Sequence, residues 1–202
     1  MKKAVLIKLV LGVVLAIGPL KVKAQSDNHL AGSPVKWMTF EEAVEKSKAE
    51  KRKIFIDVFT DWCGWCKVMD KNTFPDAEIV KLLNEKFYAV KLDAEQTHDV
   101  VFRGTTFKFI PSGNKGYHQL AAALLNNQMS YPNFVFLDED FRIIPIYQGS
   151  TSLPGYRKTE EFHVFLSYVG NDFYQKMNIN DYQKQYKSPY ASLTPTDSPI
   201  KN

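Results

Sequence analysis

Two cysteines three positions apart are the residues of this sequence best suited to chemistry. Cys63 and Cys66 are the only cysteines among the 202 residues. A pair with this spacing can form a structural disulfide, share a metal ion or exchange electrons with other thiols. A chain of this length can bury a core without a staple, and closing so short a loop removes little chain entropy. The pattern therefore favours a working redox pair over a structural bridge.

The other potential metal ligands are scattered along the chain. A zinc site takes about four ligands, and the sequence has neither a second Cys-x-x-Cys pair nor a closely spaced histidine pair. Attachment of a c-type haem would require histidine directly after the second cysteine, where Lys67 stands. We therefore expect no metal, and no cofactor other than the redox-active disulfide itself. Copper held by the two thiolates stays open as an alternative.

A buried strand and a helix must position the cysteine pair. The run Lys-Ile-Phe-Ile-Asp-Val-Phe-Thr before it is apolar at nearly every position, which is typical of a central strand covered on both faces. A helix beginning at the cysteines would set Cys63 in its first turn, where free N–H groups and the helix dipole stabilise a thiolate. Cys66 would lie one turn further in, within reach of a mixed disulfide at Cys63.

The first half of the chain alternates between helix and strand. Thr39 stands three residues before Glu42, a capping-box pattern that predicts a helix over 40–51. The buried strand and the cysteine helix come next. They are followed by a helix with Asp76 as its N-cap and by the strand Phe-Tyr-Ala-Val-Lys-Leu-Asp-Ala-Glu. This order predicts an α/β fold with parallel strand pairing.

The second half is predicted as an insertion, two strands and a closing helix. Residues 95–130 would contain a short strand, a turn and a helix over residues 117–128. Two strands would follow around an acidic turn, the second of them an edge strand or bulge because it contains Pro145. An amphipathic helix would begin at Thr159. Residues 177–202 are rich in Ser, Pro, Thr and Lys and are predicted as a flexible tail.

The N-terminal residues have the layout of a secretory signal peptide. Lys2 and Lys3 precede the apolar run Leu9–Ile17, and a polar stretch ends at Ala24. The apolar run is shorter than the roughly 20 residues that span a membrane. We expect residues 1–24 to be a cleaved signal peptide and 25–36 a flexible leader. Without the signal's five lysines, 21 basic and 22 acidic residues remain, so charge does not support a nucleic-acid partner.

Together with their flanking residues, the cysteines make the chain resemble the thioredoxin superfamily. Asp57 stands six positions before the first cysteine, where that family has a buried acid, and Trp62 directly precedes the cysteine. Lys91 on the next strand matches the lysine that pairs with this acid. Pro132, preceded by Tyr131, matches the family's cis-proline.

The resemblance covers roughly residues 37–176 and implies a thioredoxin fold. That fold is a central mixed β-sheet flanked by helices, here with an insertion before the cis-proline strand. The resemblance also implies a thiol:disulfide oxidoreductase in which Cys63 exchanges with a substrate and Cys66 resolves the mixed disulfide. Burial would raise the pKa of Asp57 and let its carboxylate take the proton from Cys66.

The resemblance implies a groove and a supporting set around the disulfide. The groove residues are Trp62, Trp65, Tyr131 and Pro132. The supporting residues are Lys91 and Gly64. The sequence departs from the cytosolic family members in two places, because Trp65 replaces a proline and residues 95–130 are longer than a minimal fold needs. The first departure leaves the redox direction open, and the second can build an additional surface.

Within the superfamily, the cysteine region is more similar to exported domains, in particular the C-terminal domain of the membrane thiol:disulfide interchange protein. After cleavage of the signal peptide, we expect a periplasmic or secreted monomer. Its partners would be exported proteins with cysteines or disulfides. Reduction is the favoured direction, with a membrane thiol transporter as a candidate electron donor.

Two other interpretations stay open. In the first, the fold is a binding module that presents residues 95–130 to a partner, and the disulfide is passive. In the second, the thiols handle copper. As the less favoured alternatives, Asp57 and Lys91 would be a structural ion pair alone, and Pro132 a trans proline at a strand edge.

Overall fold

The computed structural model describes residues 34–190. The predicted signal peptide, most of the predicted leader and the last part of the predicted tail lie outside these residues. Within them, no helix has the length and apolar character that crossing a bilayer requires.

Residues 34–190 form one main sheet, two small hairpins and surrounding helices. The strands are β1 (Trp37–Met38), β2 (Lys53–Phe59), β3 (Phe87–Asp93), β4 (Val100–Phe102), β5 (Thr105–Phe107), β6 (Phe109–Ser112), β7 (Lys115–His118), β8 (Asn133–Leu137) and β9 (Leu153–Pro154). The α-helices are α1 (Phe40–Ala49), α2 (Gly64–Asn72), α3 (Ala77–Lys86), α4 (Gln119–Leu124), α5 (Thr159–Gly170) and α6 (Ile179–Gln185). A short 3₁₀-helix spans Phe173–Gln175.

The main sheet has the strand order β1-β3-β2-β8-β9. β2 runs parallel to β3 and antiparallel to β8, so the sheet is mixed. Side chains of β2 alternate between two cores. Phe55 packs with residues of α3 and α5, while Ile54 and Ile56 pack with residues of α1 and α4. The predicted thioredoxin-like fold, a central mixed sheet flanked by helices, is confirmed.

Local sequence sets the starts of the helices that flank the site. The backbone N–H of Glu42 donates to Thr39 Oγ1 at 3.2 Å, and that of Thr39 donates to Glu42 Oε2 at 2.9 Å, which completes the predicted capping box. Asp76 accepts from the backbone N–H groups of Glu78 and Ile79 at 3.0 and 3.2 Å. The predicted N-cap of α3 is therefore confirmed.

Residues 95–130 fold into two hairpins and a short helix. The β4–β5 and β6–β7 pairs are both antiparallel, and α4 follows directly. The helix predicted over 117–128 is shorter than expected, since His118 ends β7 and caps α4. Asn126 and Asn127 have φ angles of 49° and 60°, and this left-handed backbone cannot continue a helix.

The strand predicted after the acidic turn is wrong in its extent. Only one isolated bridge, Leu137 with Ile143, continues the sheet there, and the next strand is β9. Pro145, two residues after Ile143, removes a backbone donor, and Gly149, with a φ of 78°, turns the chain away. β9 takes the edge position instead.

The flexible tail predicted from residue 177 is wrong for residues 179–185, which form α6. Ile179 and Tyr182 are 2% and 5% exposed and belong to the core beside α5. The Tyr182 and Ser167 hydroxyls lie 2.8 Å apart, and Tyr190 Oη donates to Asp76 Oδ1 at 2.6 Å. The tail prediction rested on the Ser, Pro, Thr and Lys content of the segment. It overlooked the apolar and aromatic residues that dock the segment against the core.

Replacing Ile179 by Ala tests this docking. Loss of a buried side chain from the core should lower the free energy of unfolding by about 2–5 kcal/mol, measured by urea denaturation. The exposed Gln183 of the same helix is the control, and Gln183→Ala should change it by less than about 0.5 kcal/mol. Equal small effects of both substitutions would contradict docking of α6.

Candidate active site

Cys63 and Cys66 form a disulfide at the start of α2. Cys63 is the N-cap residue, and its Sγ accepts from the backbone N–H of Cys66 at 3.0 Å. Both cysteines are buried, whereas Trp62 and Trp65 are 55% and 60% exposed. The strand-to-helix junction thus places the sulfurs where the helix N-terminus favours a thiolate, with two aromatic side chains on the surface around them.

Asp57 lies on β2 and is 1% exposed. The parallel register places it opposite Lys91 of β3, and Lys91 Nζ lies 2.7 Å from Asp57 Oδ2. The second carboxylate oxygen, Oδ1, is buried and has no hydrogen-bond partner. Burial raises the pKa of Asp57 to about 6, although the ion pair with Lys91 lowers it. The predicted pairing of these two residues is present in the structure.

Lys91 also contacts a second carboxylate, that of Asp70 in α2. Its Nζ lies 4.9 Å from the ring centroids of both Trp37 and Phe74. Burial lowers the pKa of Lys91, but Asp57 and Asp70 outweigh that effect and raise it. Sequence reasoning missed Asp70. Its position four residues after Cys66, on the same face of a helix, was the available signal.

Trp62 is held by side chains from three other parts of the chain. Its Nε1–H donates to both carboxylate oxygens of Glu95 at 3.0 Å. Its ring lies edge to face with that of Tyr131, with 5.8 Å between the ring centroids. Lys115 Nζ lies over the indole, 4.3 Å from the ring centroid. Sequence reasoning missed Glu95 and Lys115 because both lie far from the cysteines in sequence.

Trp65 has a separate aromatic partner. Its ring centroid lies 5.1 Å from that of Tyr156, in the loop after β9. Each cysteine of the disulfide is thus directly preceded by a tryptophan with an aromatic partner, Trp62 with Tyr131 and Trp65 with Tyr156. Tyr156 carries no local motif that could have identified it.

The Tyr131–Pro132 peptide bond is cis. Pro132 is buried and directly precedes β8, whose Asn133 pairs with Val58 near the end of β2. Its carbonyl oxygen accepts from the backbone N–H of Gly155 at 2.8 Å. Burial, with the nearby carboxylates of β3 and its C-terminal loop, raises the pKa of Tyr131 to about 12. The cis bond thus joins Tyr131, which contacts Trp62, to the start of β8.

Gly64 and Lys67, near the disulfide, are not buried against other residues. A Cβ at Gly64 would meet no atom within 4 Å, so packing does not require glycine there. Lys67 is exposed. In residues 34–190 no group of three or more His, Cys, Asp or Glu side chains could hold a metal ion.

Comparison with known proteins identifies relatives of this chain. The family model "Thioredox_DsbH: Protein of unknown function, DUF255" matches residues 23–188. Spermatogenesis-associated protein 20 of Mus musculus is 38% identical over 88 residues, which are 43% of this chain and 11% of that protein. Thiol:disulfide interchange protein DsbD of Pseudoalteromonas atlantica is 36% identical over 45 residues, 22% of this chain and 8% of that protein. The chain spans about a tenth of the length of these curated relatives.

The fold is also found in a solved structure. The structure of "DsbH Oxidoreductase" aligns with a TM-score of 0.50 and 18% identity, over 74% of this chain and 92% of that one. At this identity the match shows the fold alone. Together with the similarity to DsbD, it confirms the thioredoxin-like resemblance predicted from the cysteine region.

The raised pKa of Asp57 predicts a pH-dependent effect of Asp57→Asn on stability. The folded state holds the Asp57 proton up to about pH 6, whereas the usual pKa of an aspartate is 3.8, so ionisation destabilises the fold as pH rises between them. The variant lacks this cost. Its free energy of unfolding should exceed that of the wild type by about 2–3 kcal/mol above pH 6, and the gain should vanish near pH 4.

Urea denaturation at a series of pH values measures this difference. Asp70→Asn, at the half-exposed end of the same ion cluster, is the control and should change the free energy of unfolding by less than about 1 kcal/mol. A difference between Asp57→Asn and wild type that is constant from pH 4 to pH 7 would contradict the raised pKa.

Proposed function

Because this chain belongs to the Thioredox_DsbH family, we propose that it is a thiol:disulfide oxidoreductase whose Cys63–Cys66 pair exchanges with other proteins. The observation that carries the proposal is the disulfide at the N-terminus of α2, on a thioredoxin-like fold and beside the ion pair of the buried Asp57 in β2 with Lys91 in β3. Similarity to a thiol:disulfide interchange protein supports the same chemistry.

In the reducing direction, the reaction begins with both cysteines as thiols. The Cys63 thiolate, favoured by the helix N-terminus, attacks one sulfur of a substrate disulfide. The substrate S–S bond breaks, a mixed disulfide forms at Cys63, and the leaving sulfur takes up a proton. Cys66 then loses its proton and attacks Cys63 Sγ, which releases the second substrate thiol. Two electrons pass to the substrate, and Cys63–Cys66 becomes the disulfide.

Asp57 is the proposed acceptor of the Cys66 proton. With a pKa of about 6, its carboxylate is largely ionised at neutral pH, yet it is basic enough to take a proton transiently. The free Oδ1 has a lone pair available for that proton. Lys91, held in turn by Asp70, keeps the carboxylate from becoming neutral at neutral pH.

The proposed substrate groove lies around the two aromatic pairs. Trp62, directly before Cys63, and Trp65, directly before Cys66, present exposed ring surface next to the buried cysteines. Tyr131 and Pro132 lie on the Trp62 side, where an extended segment of a substrate could pass. This groove suits polypeptide disulfides, because apolar contact adds affinity that a small disulfide cannot gain.

We place the protein outside the cytoplasm, in the periplasm or secreted, on the signal-peptide layout of residues 1–24. Its proposed partners are exported proteins that carry cysteines or disulfides. We favour reduction as the direction. An oxidising compartment supplies no electrons, so a membrane thiol transporter is the proposed donor, and the protein is proposed to act as a monomer.

Trapping with cysteine variants tests this function. Cys66→Ser should accumulate mixed disulfides with envelope proteins, seen as high-mass bands on non-reducing gels, because no thiol remains to resolve them. Cys63→Ser should form none and should lose all disulfide-exchange activity. The double Cys→Ser variant is the control for nonspecific capture. Full activity of Cys63→Ser, or a biological effect retained by the double variant, would contradict the proposal.

A further inference from the structure

We propose that Lys115 is a positioning residue for the exchange reaction and that the β6–β7 hairpin is part of the active site. By this account, Lys115 fixes the orientation of Trp62, and Trp62 forms one wall of the groove that binds a polypeptide disulfide. The inference rests on the function proposed above, and it assigns a role to residues 95–130.

Side-chain contacts hold the Trp62 ring in place. This side chain is half-exposed, yet its ring is held at its N–H edge by Glu95 and edge to face by Tyr131. The Lys115 ammonium adds a contact over the face of the ring, 4.3 Å from the centroid. A cation within about 6 Å of an indole centroid is attracted to it. The insertion therefore supplies the contact that covers the ring face.

The β6–β7 hairpin, which carries Lys115, is anchored to the segment after β3. His118, at the end of β7, is buried, and its backbone N–H donates to Ala94 O at 2.7 Å. Its Nε2 lies 3.1 Å from His98 O. The hairpin is thus tied to the segment after β3, which also carries Glu95. Lys115 and Glu95 consequently hold Trp62 from one connected piece of structure.

A glycine lets the two strands of this hairpin pack closely. A Cβ at Gly116 would lie 2.2 Å from Phe109 Cζ and 2.6 Å from Ile110 O. The Phe109 ring therefore crosses the backbone next to Lys115. This packing fixes the position from which the lysine side chain reaches Trp62.

In the described part of the chain, no carboxylate competes with Trp62 for the ammonium of Lys115. Residues 100–137 contain no Asp or Glu. In that stretch, Lys108 pairs with Asp99 at 2.7 Å, and Arg103 donates to the backbone oxygen of Asp140. Among residues 34–190 no carboxylate lies within 4 Å of Lys115 Nζ. Its ammonium lies instead over the Trp62 ring.

The position of Trp62 makes this contact relevant to exchange. Trp62 directly precedes Cys63, so the orientation of its ring shapes the surface that a substrate meets beside the reactive sulfur. A folded polypeptide spans this surface, whereas a small disulfide needs only the sulfur. Loss of the Lys115 contact should therefore weaken binding of a protein disulfide and leave the chemistry of the cysteines unchanged.

Steady-state reduction of two disulfides by the full chain, with dithiothreitol as electron donor, tests the inference. For Lys115→Met we expect KM for insulin to rise about two- to fivefold with kcat unchanged, and the rate with hydroxyethyl disulfide to stay at the wild-type value. Lys115→Arg should restore the wild-type KM, because guanidinium also binds an indole face. Lys108→Met, in the same insertion but away from Trp62, is the matched control and should behave as wild type.

A double-mutant cycle shows whether Lys115 acts through Trp62. In a Trp62→Ala background, Lys115→Met should raise KM no further. A full effect in that background would mean that Lys115 contacts the substrate directly and would overturn the positioning role, as would an unchanged KM in Lys115→Met. If the wild-type protein reduced neither insulin nor hydroxyethyl disulfide, the proposed function would fail and this inference with it.

Discussion

The ion pair between the buried Asp57 and the partly buried Lys91 is the constraint on which the rest of this site depends. Removing a carboxylate from water is costly, and a cation offsets that cost only when its position is fixed. The parallel register of β2 and β3 fixes it, and Asp70 of the cysteine helix adds a second contact to the lysine. Strand pairing, the last turn of α2 and the charge of Asp57 are therefore coupled.

This coupling explains how one short segment can carry the chemistry. β2 delivers the acid to the interior and ends just before the turn that begins α2, so acid and thiols are placed by the same strand-to-helix junction. The cost of burial remains visible as the raised pKa of Asp57. A group that is poorly stabilised when charged is suited to accepting a proton transiently, and a fully satisfied surface carboxylate is not.

Much of this arrangement was predictable from sequence, because it is local. The apolar run of β2, the capping box at Thr39 and the N-cap Asp76 each place an element within a few residues of its observed position. The predictions that failed concern segments whose structure depends on residues far away in the sequence. The isolated bridge at Ile143 and the docked helix α6 depend on partners elsewhere in the sheet and on α5, and neither Pro145 nor tail composition reveals those partners. For the site, the flanking pattern gave Asp57 and Trp62, whereas Glu95 and Lys115 required the fold of the insertion.

The measurement that tests the central claim most directly is the redox equilibrium of Cys63 and Cys66 in the purified protein, set with glutathione buffers and followed by the fluorescence of Trp62 and Trp65. We expect a reversible two-electron transition with a midpoint between about −270 mV, the value of a reductant, and about −120 mV, that of a strong oxidant. A value near the first limit agrees with the reducing direction. A pair that stays oxidised in every buffer would contradict the account, since a passive bridge cannot exchange electrons with a substrate.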